Sequence, residues 1–202
     1  MAILISAVLS RAQTILQDTT GTRWDSPELL GWYNEGVRQL AIHRPNEFAK
    51  RLTMTLAAGS LQTVPTSTYM FMRLNCNLRD DSPRVPGRSI TKVEARVLDA
   101  MDPSWQDSAL YPAAKEVVHY TFTADEPDTF MVFPPNDGTG MIEFTGAVLP
   151  AEATNTTQAI PLRDVFANVL VDYVLYRCFS KDADHPGNAE RAGSHLAAFT
   201  SV

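Results

Sequence analysis

"VFANVLVDYVLYRCFSKDADHPGNAERAGSHLAAF", Val165 to Phe199, is where the architecture of this chain is set. Val165, Phe166, Val169, Leu170, Tyr173 and Val174 recur at the three- and four-residue intervals of one helix face. Val171, Leu175 and Cys178 widen that face to more than half the circumference. A helix this apolar needs partners on more than one side. "SKDADHPGN" (180–188) breaks the pattern, and Asn188 is placed to cap a last helix carrying Ala189, Ala192, Leu196 and Phe199.

The partners stand at the other end of the chain. Ile5, Val8, Leu9, Ala12, Ile15 and Leu16 predict a first helix over 3–18. A second helix is punctuated at both ends. Asp25 or Ser26 can cap it, Pro27 suits its first turn, Glu28 meets the positive end of the dipole, and Pro45 ends it. Its stripe is Leu29, Leu30, Tyr33, Val37, Leu40 and Ala41. Gly31 and Gly36 each cost about 1 kcal/mol in a helix relative to Ala. Either permits close helix approach or is simply tolerated.

Between the helix pairs the period drops to two. "RLTMTLAAGSLQTV" (51–64) predicts a hairpin turning at Gly59-Ser60. "YMFMRLN" (69–75), "SITKVEARVL" (89–98) and "VVHYTF" (117–122) read as strands, with "DDSPRVPG" (80–87) as a loop. "TFMVF" and "MIEFTG" flank "PPNDGTG" (134–140) as a second hairpin. The expected class is α+β. A four-helix bundle from residues 1–45 and 161–202 carries an inserted antiparallel β domain over 46–160.

The chain has 202 residues, 45% hydrophobic and 20% charged, with net charge −6. That balance argues against a general nucleic-acid binder, which needs clustered Lys and Arg. Cys76 and Cys178 form no ligand cluster and read as free thiols. The N-terminus lacks the basic region of a signal peptide, and no stretch reaches the roughly 18 apolar residues of a membrane span.

No motif supplies an active site. Asp182, Asp184 and His185 resemble part of a calcium loop without its Gly and Glu, so a solvated interhelix turn is the better reading. Cys178 with His195 could form a thiol pair, but apolar neighbours raise a thiol pKa. The GxG of "NDGTG" leads into a strand-like run rather than the helix a phosphate cradle needs. Tyr173, Tyr176 and Phe179 with Arg177 could stack bases, yet at helical spacing they read as packing. The excess apolar surface of the third helix points to subunit or partner contact.

Four stretches together resemble the tailed-bacteriophage adaptor, or head-to-tail connector, family. They are "RAQTILQDTTGTRWDSPELLGWYNEGVRQLAIHRP" (11–45), "SITKVEARVLDAMDPSW" (89–105), "HYTFTADEPDTFMVFPP" (119–135) and "DYVLYRCFSKDADHPGNAERAGSHLAAF" (172–199). The likeness is closest at Trp24–Asn34, at Leu98-Asp99-Ala100 with Asp102–Trp105, and at Asp172–Arg177 with Ser180-Lys181-Asp182 and Asn188. Cys178 stands where a small residue is expected.

The resemblance implies a structural virion protein of the head–tail junction, assembled in the host cytoplasm. It implies a bundle docked beneath the portal protein and a homo-oligomeric ring, dodecameric in the family. The ring extends the DNA channel and receives tail, nozzle or hub proteins. DNA passes without specific binding, and no enzyme activity, cofactor, metal or membrane is implied. Leu175, Tyr176 and Phe179, off the main core face, are the residues expected at the portal or subunit interface. Rival readings are another neck or tail-completion ring protein, or a metal-dependent hydrolase built on Asp182, Asp184 and His185.

Overall fold

The computed structural model describes residues 2–82, 84–107 and 109–202. The chain is α+β and divides into two compact units, Met1–Phe48 with Pro150–Val202, and Ala49–Leu149. The first unit holds helices α1 (Ile5–Ile15), α2 (Ser26–His43), α4 (Ala167–Lys181) and α5 (Asn188–Thr200). The second holds β1 (Ala49–Thr55), β2 (Ala58–Thr63), β3 (Met70–Asp81), β4 (Arg84–Ser89), β5 (Thr91–Lys92), helix α3 (Ala95–Met101), β6 (His119–Thr121), β7 (Thr129–Asp137) and β8 (Met141–Ala147).

In the helical unit α4 packs against α1, α2 and α5. Val169, Leu170, Val171, Tyr173, Val174, Leu175, Cys178 and Phe179 are all buried. The circumference that the sequence leaves over is therefore largely covered within the unit itself. Val165 alone of the expected face stays exposed, because it sits in a short 3-10 turn, Asp164–Phe166, ahead of the helix.

Helix α1 is shorter than its apolar periodicity. Residues 3 and 4 are drawn into extended pairing with a returning segment: Ile160 N–H donates to the Ile3 carbonyl (2.9 Å), and Leu4 bridges Ala159. The first free amides of the helix, Ile5 and Ser6, donate to the carbonyls of Gln158 (2.9 Å) and Thr156 (2.8 Å). A distant segment thus caps α1, where no local side chain does. At its far end Gln17 adopts φ 56°, which terminates the helix.

The link to α2 is organised by Asp18, 8% exposed. Its carboxylate accepts from the backbone N–H groups of Thr22 (2.8 Å), Arg23 (2.9 Å) and Trp24 (2.8 Å). The expected cap of α2 is in place: Asp25 accepts from Glu28 N–H at 2.9 Å. Asn188 plays another part than expected. Gly187, at φ 83°, precedes α5, and Asn188 is its first residue. The Asn188 amide donates back to the Asp182 carbonyl (3.1 Å) and carboxylate (2.7 Å), tying the α4–α5 turn.

The second unit is two four-stranded sheets, β1-β8-β3-β4 and β2-β7-β6-β5. They enclose one core of Leu56, Phe71, Leu74, Ile90, Val117, Tyr120, Phe130, Val132, Ile142 and Phe144 among others. Both expected hairpins are corrected by this arrangement. β1 pairs with β8 and β2 with β7, so the chain crosses between sheets where a turn was expected. Gly59, at φ 102°, marks a register slip within β2 rather than a turn. The "PPNDGTG" turn is real, but β7 and β8 then separate into different sheets. Turn chemistry fixes a reversal; burial of two inner faces decides which strand pairs with which.

Asn136 builds that corner. Its amide donates to the carbonyls of Ala114 and Lys115, both at 2.9 Å, and its oxygen accepts from the N–H of Gly138 (2.9 Å) and Gly140 (3.2 Å). A Cβ on Gly140 would strike the Lys115 carbonyl and the Asn136 amide. The glycines serve close backbone approach.

Three further expectations are revised. "DDSPRVPG" is the tip of a β3–β4 hairpin, with Pro86 opposite Leu78 on an edge strand that tolerates it; Pro83 lies outside the described residues. The strand expected over 89–98 shortens to Thr91–Lys92 and gives way to α3, where Leu98 turns inward and Val97 outward. β5 runs parallel to β6, so the β unit is mixed rather than wholly antiparallel.

Gly31 and Gly36 behave oppositely. A Cβ at Gly36 would lie 2.9 Å from Tyr173 Cδ1, whereas at Gly31 nothing stands within 4 Å. We expect Gly36→Ala to destabilise the chain by about 1–3 kcal/mol through overpacking. Gly31→Ala is expected to stabilise it by up to ~1 kcal/mol. Chemical denaturation of the two variants checks both signs.

Candidate interaction surfaces

The α2–α4 seam gathers residues that lie far apart in sequence. Trp24 and Trp32 are buried with ring centroids 5.8 Å apart. Lys181 lies over both rings, at 5.5 and 5.8 Å, and pairs with Glu28. Arg23 pairs with Asp182, and Arg177 meets Glu35 at 3.0 Å. Tyr173 fills the space left by Gly36.

The three expected contact residues on α4 fall in different surroundings. Leu175 is fully buried. Phe179 is 9% exposed and stacks on His195 with 5.7 Å between centroids. Tyr176 is half-buried, edge-on to Tyr173 at 5.7 Å.

The reactive alternatives meet in other ways. His195 Nδ1 lies 2.9 Å from Asp172 Oδ1, joining α5 to α4. Burial pushes the Cys178 thiol up to about 12. Asp182 is engaged by Arg23 and Asn188, while Asp184 and His185 are exposed. Among the described residues no group of three or more His, Cys, Asp or Glu side chains is placed to hold a metal ion. Among them, too, no helix is long and apolar enough to cross a membrane. The second resembling stretch is also tied internally. Trp105, 1% exposed, donates from Nε1 to Asp99 (2.8 Å), and Asp102 accepts from Ser104 N–H (2.8 Å) and the Tyr111 hydroxyl.

One cluster escaped the sequence reading. On the face of the first sheet turned away from its core, Arg51 of β1, Arg73 of β3 and Arg84 of β4 line a groove of about 410 Å³ around Glu143 of β8. Glu143 is 2% exposed at its side chain. It pairs with Arg84, lies 3.5 Å from Arg51, and accepts from Asn75 at 3.1 Å. The Arg84 hydrogen bond outweighs the opposing effect of burial and holds its carboxyl below the usual range. These residues come from four strands, so no spacing in the sequence could have shown them together.

A family model described as SU10 adaptor protein matches residues 4–202. No curated protein matches the chain.

The depressed carboxyls set an acid dependence. Asp18 is held low chiefly by the Trp24 N–H, Asp102 chiefly by the Tyr111 hydroxyl, and Glu143 by Arg84. A folded-state pKa below the unfolded value stabilises at neutral pH and ceases to do so as pH falls through the carboxylate range, about pH 4 and below. Thermal unfolding should therefore occur at lower temperature in acid. Glu143→Gln should lower Tm at neutral pH, and its deficit should shrink in acid.

Proposed function

The chain belongs to the SU10 adaptor protein family, and on that premise we propose that it is the structural virion protein joining a phage portal to its tail. The observation that carries this is the family match across residues 4–202, which spans both units.

In this reading the four long helices act as a bundle that docks beneath the portal. Copies form a ring, dodecameric as in relatives of this type, that prolongs the DNA channel and presents a lower surface to tail, nozzle or hub proteins. The chain works at the head–tail junction after assembly in the host cytoplasm. Its net charge of −6 favours DNA passage over DNA retention. The packing supports a scaffold role. Residues that could suggest chemistry are engaged in structural contacts: Cys178 in the core, His195 on Asp172, and Asp182 on Arg23.

The proposed contact on α4 centres on Tyr176. Leu175 and Phe179 lie beneath the surface and set its helix, while Tyr176 keeps part of its ring accessible. An aromatic side chain with a polar tip suits an interface that is dry at the centre and wet at the rim.

Light scattering of the purified protein, alone and with a portal ring from the same genome, tests the reading. A ring, or a stoichiometric portal complex, is expected. A monomer indifferent to the portal would overturn the adaptor assignment. Tyr176→Asp should leave the circular dichroism spectrum unchanged and weaken assembly by roughly tenfold or more, as loss of a central aromatic contact does. Unchanged assembly would remove Tyr176 from the interface.

A further inference from the structure

Charge is unevenly placed in the β unit. Lys50, Arg51, Arg73, Arg79, Arg84 and Arg88 belong to the first sheet, where they outnumber Asp80, Asp81 and Glu143. The strands of the second sheet carry only Lys92 and Asp137, and the acid beside them lies in the β6–β7 turn. β5 and β6 run parallel, so the start of α3 and the β6–β7 turn emerge at the same end of that sheet. Ala95 and Glu126 line a common groove there with Phe122 and Met131. Asp125, Glu126 and Asp128 are all exposed in the turn. Arg96 answers Glu94, and Lys92 lies over the Phe122 ring at 5.8 Å, so the corner sets three carboxylates against one lysine and keeps an acid excess.

The arginine groove is a built surface rather than a scatter of side chains. Glu143, nearly inaccessible, is held from two sides by Arg84 and Arg51 and from a third by Asn75. Arg73, exposed on the neighbouring strand, makes no ion pair among the described residues. One carboxylate answers three guanidinium groups, and the remaining positive charge faces outward. Arginine forks favour carboxylates in paired, planar contact.

We propose that this groove is the socket for the acidic β6–β7 corner of a second copy of this chain. The contact rests on the ring reading above and gives it a mechanism. Two different patches of one unit meet, so association runs head to tail, the geometry that closes rings. Phe122 and Met131 beside the corner offer apolar surface on which an arginine stem can lie. Nucleic acid fits the groove less well. A buried carboxylate sits where phosphates would run, and three guanidinium groups in a chain of net charge −6 give little counterion release.

Reciprocal charge reversal tests the contact. Arg73→Glu makes the groove more acidic; Asp125→Lys with Asp128→Lys makes the corner basic. All three side chains are exposed, and thermal unfolding should be close to that of the parent chain. Sedimentation velocity, with and without the portal ring, reads assembly. Each variant alone should associate roughly tenfold more weakly or worse, because like charges then face each other across the contact. An equimolar mixture should recover assembly, since each reversed socket meets a reversed corner; misfolded variants could not rescue one another. Variants that assemble alone as well as the parent, or a mixture that stays dissociated, would overturn the proposal. A parent chain that never associates, even with the portal, would remove the ring reading itself. Binding of short duplex DNA by the parent and its loss in Arg73→Glu would assign the groove to phosphate instead.

Discussion

The burial of α4 is the constraint from which the rest of the helical unit follows. A fifteen-residue helix with apolar side chains on nearly every side is not stable in water until other elements cover it. α5 follows it directly and covers one side. The remaining sides need α1 and α2, which the chain makes first. The unit is therefore complete only when Pro150–Val202 has returned to Met1–Phe48, and Ala49–Leu149 forms a compact unit of its own. The same closure explains the start of α1. Its first amides find their acceptors on Thr156 and Gln158, so the segment that leads back to α4 also supplies the cap.

The helices were easy to read because one burial pattern and one set of caps act over a few residues. Asp25, Pro27 and Pro45 punctuate α2 locally, and Gly36 admits Tyr173 at a distance the bare sequence could only allow for. The sheets were harder for a physical reason. Alternation shows that a strand has a buried face, and Gly-Ser or Asn-Asp-Gly shows that the chain bends. Neither shows whether the next strand pairs with the last or crosses to the opposite sheet. At Leu56–Ala58 and at Asn136–Gly140 it crosses, because two inner faces had to be closed against each other. α3 was missed because Val93, Ala95 and Val97 alternate by chance; Leu98 and the Asp99–Trp105 bond decide the outcome.

Stretches that carry the family resemblance supply contacts inside each unit. Trp24, Trp32 and Glu28 meet Lys181; Glu35 meets Arg177; Asn188 holds Asp182. Leu98 and Trp105 are buried in the β unit, and Asp99 and Asp102 tie the segment around them. Such residues identify a scaffold because their partners are fixed by the fold. They say little about what the scaffold touches.

Surfaces that touch partners obey a different logic. The arginine groove draws one residue each from β1, β3 and β4 around a carboxylate from β8, and the acidic corner lies in the β6–β7 turn. Neither patch has a sequence period, and the overall charge of −6 conceals both. Net charge averages over the molecule, whereas an interface responds to charge within about one Debye length, roughly 8–10 Å. A chain that is acidic as a whole can therefore resist DNA and still carry a basic socket. In a ring the two properties support one another. Under the proposed contact a neighbour's carboxylates would neutralise the socket, and its positive charge would then not be available to hold DNA.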